Sequence, residues 1–191
     1  MTFLRDGNAS SHPQRGSSIR VSEVRDKTAM RGWILAAPPL FLLHEMEEYR
    51  TALPWIEKHA SIIPEFVQPM IPDGPAFIAY AGLFFLVVFT GAGIVALRSR
   101  PQSIAWIVLA ILFTARLENG LLHMIESIVL MQYTPGVLTA VVVVLPVSFY
   151  ILRRLLRFDL IRAAWFPAII VAGLIAQSAA IWMMLVTGRR A

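Results

Sequence analysis

A chain of 191 residues that is 57% hydrophobic and 15% charged, with a mean hydropathy of +0.66, does not have the composition of a water-soluble domain. The absence of cysteine excludes disulfides, thiolate metal sites and cysteine nucleophiles. The net charge of +5 collects at the ends of apolar blocks, where it serves membrane topology rather than nucleic-acid binding.

Residues 1–30 are polar and rich in Ser and Arg, with no apolar stretch of the kind a cleaved signal peptide needs. The expectation is a disordered cytoplasmic tail. After it come apolar blocks near the 20 residues that a membrane crossing needs. They predict an all-α integral membrane bundle of five helices, at about 32–50, 76–97, 103–131, 136–156 and 163–187. Backbone groups in lipid must be bonded internally, so helices are the only spanning form open to these runs.

The first block contains Pro38-Pro39 and closes on the acidic stretch "FLLHEMEEYR". A loop, Thr51 to Pro75, follows. In it Trp55, Ile56, Ile62 and Ile63 either form a short surface helix touching lipid or belong to an irregular segment. His59 reads as solvated. Arg5, Arg15, Arg20, Arg25, Lys27 and Arg31 precede the first helix. The loops "RSRPQS" and "RRLLRFDLIR" follow the second and fourth. All three groups fall on one side if the amino terminus is cytoplasmic, which the Lys/Arg bias favours. The terminal "GRRA" dissents, since five crossings leave it outside.

Two polar clusters interrupt this pattern. Positions three and four apart share a helix face. His44, Glu47 and Glu48 satisfy that spacing, while Glu45 points elsewhere and is expected to be solvated. In the third helix, Asn119, His123 and Glu126 form a second stripe, with Arg116 at its edge and Glu118 off it. Both helices run outward in the favoured orientation. His123 then lies roughly 12 Å from the outer end at Met131, and His44 at a comparable depth, so both clusters belong to the outer half of the bilayer.

A charge at mid-helix in a membrane costs about 2.5–3.5 kcal/mol on insertion scales. A divalent metal shared by imidazoles and carboxylates offsets that cost. Bundle metal sites use Glu-x-x-His spacing on facing helices; here the order is reversed, at His44/Glu47 and again at His123/Glu126. One zinc, or two iron or manganese ions, would suit these donors equally. Three other readings stand beside this one. The first cluster is a solvated interface group, or an ion pair with Arg50. The second is a structural network of Arg116 and Glu126, with Asn119 bonded to a neighbouring backbone. Or the two together are a proton or ion relay. In "YTPGVLT", Pro135 and Gly136 fit a turn into the fourth helix, Thr134 is placed to cap it, and Tyr133 and Thr139 are within reach of the polar site. Pro146 and Pro167 are expected kinks.

"HEMEE" at His44–Glu48, "NGLLH" at Asn119–His123 and "YTPGVLT" at Tyr133–Thr139 together resemble the HXXEE-domain family of small bacterial membrane proteins, over about residues 35 to 157. The resemblance implies a multi-pass protein and a metal-dependent enzyme of no known reaction; its expected location is the plasma (inner) membrane. It supports His44, Glu47, Glu48, Asn119 and His123; Glu126 rests on helical spacing. The resulting expectation is an enzyme with His44, Glu47, Glu48, His123 and Glu126 as ligands to zinc or iron. One of the glutamates, Glu47 or Glu48, instead acts as base, and Asn119 orients a ligand or substrate. Its partners would be the bilayer and a lipid-like substrate, hydrolysed or oxidised. The alternatives are a proton- or cation-coupled transporter and a non-catalytic scaffold.

Overall fold

The computed structural model describes residues 15–59, 61 and 83–188. These form helices joined by short turns, with no strand among the described residues. We number the helices α1 (Arg15–Lys58), α2 (Phe84–Arg98), α3 (Ile104–Val129), α4 (Val137–Arg157) and α5 (Phe166–Gly188). The bundle is all-α, as the apolar blocks predict.

Helix α1 departs most from expectation. It is 44 residues long and runs through Pro38, Pro39 and Pro54. Residues 15–30, expected as part of a disordered tail, are helical, and residues 1–14 lie outside the described residues. No proline falls between Arg15 and Ala37. A polar stretch continuous with an established helix adds turns without a new nucleation step. At the other end α1 continues past Arg50 to Lys58, so Trp55 and Ile56 belong to this helix, while Ile62 and Ile63 lie outside the described residues. The first part of the expected second helix, 76–82, also lies outside them.

Helices Ile104–Val129 and Val137–Arg157, and the segment Ala163–Met183, are long and apolar enough to cross a membrane; Phe84–Arg98 is a shorter apolar helix. Within α4, Ala140–Val144 is wound as a π turn immediately before Leu145-Pro146. A wider turn leaves room for a proline ring that cannot donate to the preceding turn.

Helix α3 packs along α5 and α4 and touches α2, while α1 lies against α2 and α4. Close approach of α3 and α5 is set by Gly173, where a Cβ would stand 2.8 Å from the Thr114 methyl. Between α1, α2 and α3 lies an aromatic layer. Phe41 meets Phe85, Phe89 and Phe113 edge-on at centroid separations of 6.1, 5.5 and 6.0 Å, and Phe89 meets Phe113 at 5.0 Å. Such geometry aligns the positive ring edge with a neighbour's negative face. The polar residues begin one helical turn beyond this layer, at His44 and Glu45 on α1 and at Arg116 on α3, and on α3 continue to His123.

Two features orient the bundle ends. The α2–α3 and α4–α5 turns are tied by the Gln102 N–H to the Leu160 carbonyl at 2.8 Å, and by Arg162 Nε to Gln102 Oε1 at 2.8 Å. At the opposite end, the Trp55 indole donates to the Tyr133 carbonyl at 2.8 Å, and His59 Nε2 lies 3.1 Å from Gln132 Oε1. Trp55 and His59 stack at 4.4 Å. His59 is therefore part of an interhelical clasp rather than a solvated side chain, because α1 extends far enough to reach the turn after α3.

Candidate metal centre

An α-helix advances about 100° per residue. Taking His44 as zero, Glu48 lies near +40°, Glu45 near +100° and Glu47 near −60°. All four therefore occupy one side of α1, and Met46 points away. That side faces two neighbours at once. Helix α3 receives Glu45 and Glu48, and the start of α4 receives Glu47.

His44 is fully buried and His123 is 8% exposed. Their ring centroids lie 4.9 Å apart, with the planes at 77°. Glu48 Oε2 stands 4.0 Å from His44 Nε2 and 3.9 Å from His123 Nε2. One ligand atom from each of His44, Glu48 and His123 lies within 4.8 Å of the others, a grouping suited to a single metal ion. The Asn119 amide spans the two rings, with Oδ1 3.2 Å from His44 Nε2 and Nδ2 3.5 Å from His123 Nε2.

The turn from α3 into α4 closes the site. Gly136 has φ +81°, in the left-handed region. A Cβ there would lie 2.9 Å from His44 Cε1 and 3.3 Å from His123 Cε1. Both the backbone angle and the two rings thus require glycine. Thr134, expected as a cap on α4, instead directs its hydroxyl at the His123 carbonyl, 3.4 Å away.

Glu47 caps α4 from outside that helix. Its Oε1 accepts the Leu138 N–H at 3.3 Å and the Tyr133 hydroxyl at 2.7 Å; its Oε2 accepts the Thr139 N–H at 2.7 Å and also meets the Thr139 hydroxyl. Those N–H groups belong to the first turn of α4, which has no intrahelical partners for them and favours negative charge. Glu47 therefore stands apart from the ligand group. Thr139 links it to His44, whose Nδ1 lies 2.9 Å from the Thr139 oxygen.

Glu126 also stands apart. Its side chain is 59% exposed, and its Oε2 comes no nearer than 4.0 Å to His123 Nδ1. Arg116 does not reach it, since ten residues along one helix separate them by roughly 15 Å. Arg116 pairs instead with Glu45, Nη2 to Oε1 at 2.8 Å, with both side chains 10% exposed. Glu45 is thus buried rather than solvated, because α1 does not end near it and its face meets α3. The guanidinium lies 4.9 Å from the Phe85 ring centroid and 5.6 Å from that of Phe41, resting on the aromatic layer. Both carboxylate oxygens of Glu118 are buried without a hydrogen-bond partner among the described residues.

The class of protein is defined by these features: an all-α bundle with three helices long and apolar enough for a membrane and a His/Glu group that could hold a metal ion. The chain belongs to the HXXEE family, described as "Protein of unknown function with HXXEE motif", whose model matches residues 35–151. His44, Glu47 and Glu48 are the His-x-x-Glu-Glu motif itself, and its two glutamates face different helices. No curated protein matches the chain, and no solved structure does.

Proposed function

We propose that this chain is a multi-pass membrane enzyme holding one divalent cation between His44 Nε2, His123 Nε2 and Glu48 Oε2, and that it hydrolyses an apolar, lipid-like substrate. The observation that carries this reading is the convergence of two buried imidazoles and one carboxylate from α1 and α3 on a single point. Two histidines and a glutamate are the donor set of hydrolytic zinc sites, which leave one position open. Glu47 is engaged by the α4 terminus and Glu126 faces outward, so the donors suit one ion better than two. That favours hydrolysis over di-metal oxidation. A divalent ion so held lowers the pKa of water and polarises a carbonyl or phosphoryl oxygen. The protein's own part is to orient the donors, with Asn119 beside both imidazoles, and to keep the site among buried side chains.

The orientation and the membrane belong to the same proposal. Arg98, Arg100, Arg153, Arg154, Arg157 and Arg162 cluster around the tied turns at one end, which supports that end facing the cytoplasm of a plasma-membrane protein. The site then opens in the outer half of the bilayer, where a lipid-like molecule can arrive sideways.

The test is elemental analysis of detergent-purified protein. Wild type is expected to carry about one zinc or other divalent ion per chain, and His44→Ala, His123→Ala and Glu48→Gln to carry none. Hydrolysis of p-nitrophenyl esters in micelles should rise with acyl length, vanish with chelator and return with zinc. Metal content unaffected by all three substitutions sinks the proposal. A second reading has one observation in its favour. The Asn119 amide bridges both Nε2 atoms, a network that can hold a non-catalytic scaffold together without metal. On that reading His123→Ala disrupts the fold of a protein that carried no ion to begin with.

A further inference from the structure

The proton positions around Glu47 follow from counting donors. Two backbone N–H groups, those of Leu138 and Thr139, point at its oxygens, and N–H groups can only donate. The Tyr133 and Thr139 hydroxyls face the same two oxygens. Four potential donors around one carboxyl group are the surroundings of a carboxylate, not of a carboxylic acid. The Thr139 hydroxyl has a single proton, and Glu47 Oε2 takes it. Only lone pairs of that oxygen remain for His44 Nδ1, 2.9 Å away, so the ring proton must sit on Nδ1. A neutral imidazole has one N–H, which leaves Nε2 bare. Nε2 faces Glu48 Oε2 at 4.0 Å and the Asn119 amide, whose Oδ1 lies 3.2 Å away and competes for the same ring proton. The amide can turn its NH2 to a bare nitrogen, whereas the one Thr139 proton is held by Glu47, so Nδ1 keeps the proton.

We propose that Glu47 and Thr139 are positioning residues: they hold His44 as the Nδ1–H tautomer, aim its bare Nε2 at the space between Glu48 and His123, and so set the affinity of the site for a divalent cation. The affinity part rests on the metal-binding function proposed above; the tautomer does not. Metal-bound histidines commonly donate their second nitrogen to a carboxylate or carbonyl, which fixes the ring and strengthens the donor atom. Here a threonine hydroxyl stands between the carboxylate and the ring. The two glutamates of the motif thereby divide the work. Glu48 reaches the ion, and Glu47, one position earlier and about 100° round the helix, reaches the residue that orients the imidazole.

Two measurements on the full-length protein in detergent decide it. The first is zinc affinity by competition with a chromogenic chelator. Thr139→Val keeps the shape of the side chain but removes the hydroxyl, and is expected to bind zinc about 10–100-fold more weakly. Glu47→Gln should fall in the same direction, and Thr139→Ser, which keeps the hydroxyl, should stay near wild type. Unchanged affinity in Thr139→Val overturns the proposal. So does equal weakening in Thr139→Val and Thr139→Ser, which assigns the loss to packing. The second measurement needs no substitution at Thr139. Metal-free protein labelled with ¹⁵N-histidine, with His44 identified by its absence from His44→Gln, should show a protonated Nδ1 and a bare Nε2. The reverse pattern overturns the proposal even if Thr139→Val fails to fold. A wild type that takes up no zinc while showing the expected tautomer defeats the metal reading and leaves the relay standing.

Discussion

Gly136 bears two demands at once, a positive φ and the nearness of two imidazole rings. Gly136→Ala is therefore expected to cost about 1–3 kcal/mol from the backbone angle alone. It should also displace the rings, so that thermal stability in detergent and metal content fall together. A loss of stability with full metal content would mean that the rings tolerate the added methyl. The glycine was legible in the sequence as turn chemistry beside a proline; its contact with His44 was not, because 92 positions along the chain separate the two. The same limit applies to Glu47. Helical spacing alone groups it with His44 and Glu48, but spacing cannot say that the start of α4 lies on one flank of α1 and α3 on the other. Glu45 was lost for a related reason. Its partner, Arg116, is on another helix, and the intrahelical pairing of Arg116 with Glu126 ignores the length of ten residues of rise.

Among the elements, α3, α4 and α5 follow the apolar blocks closely, because sustained hydrophobicity over about 20 residues has few other structural outcomes. Helix α1 does not. Hydropathy sees only its apolar middle, and neither the polar start nor the extension through Pro54 carries an apolar signal. What holds α1 against α3 beside the site is the Glu45–Arg116 pair, seated on the Phe41 and Phe85 rings. Removing one member of a buried pair leaves the other charge uncompensated, at a cost of about 3–5 kcal/mol. Glu45→Gln and Arg116→Met should each destabilise the protein by that order, and the double substitution should recover much of the loss. Thermal unfolding of the four proteins tests this. A double variant as unstable as the sum of the singles would show that the two residues act independently.

For the whole molecule, the proposed orientation can be read out directly, because the chain has no native cysteine to label. Ser99→Cys and Ala163→Cys lie at the basic end, and Glu57→Cys at the other. In intact cells with the outer barrier opened, an impermeant maleimide is expected to modify only Glu57→Cys. Modification of the first two instead would turn the molecule over and place the site in the inner half of the bilayer. The family match covers 35–151 and so ends within α4. Among the described residues, helix α5 gives no side chain to the ligand group, the relay or the clasp, and it docks along α3 through Gly173 and Thr114. The last helix therefore widens the girth presented to surrounding lipid or to neighbouring proteins and braces the far side of α3, while the His44–Glu48–His123 group is assembled without it.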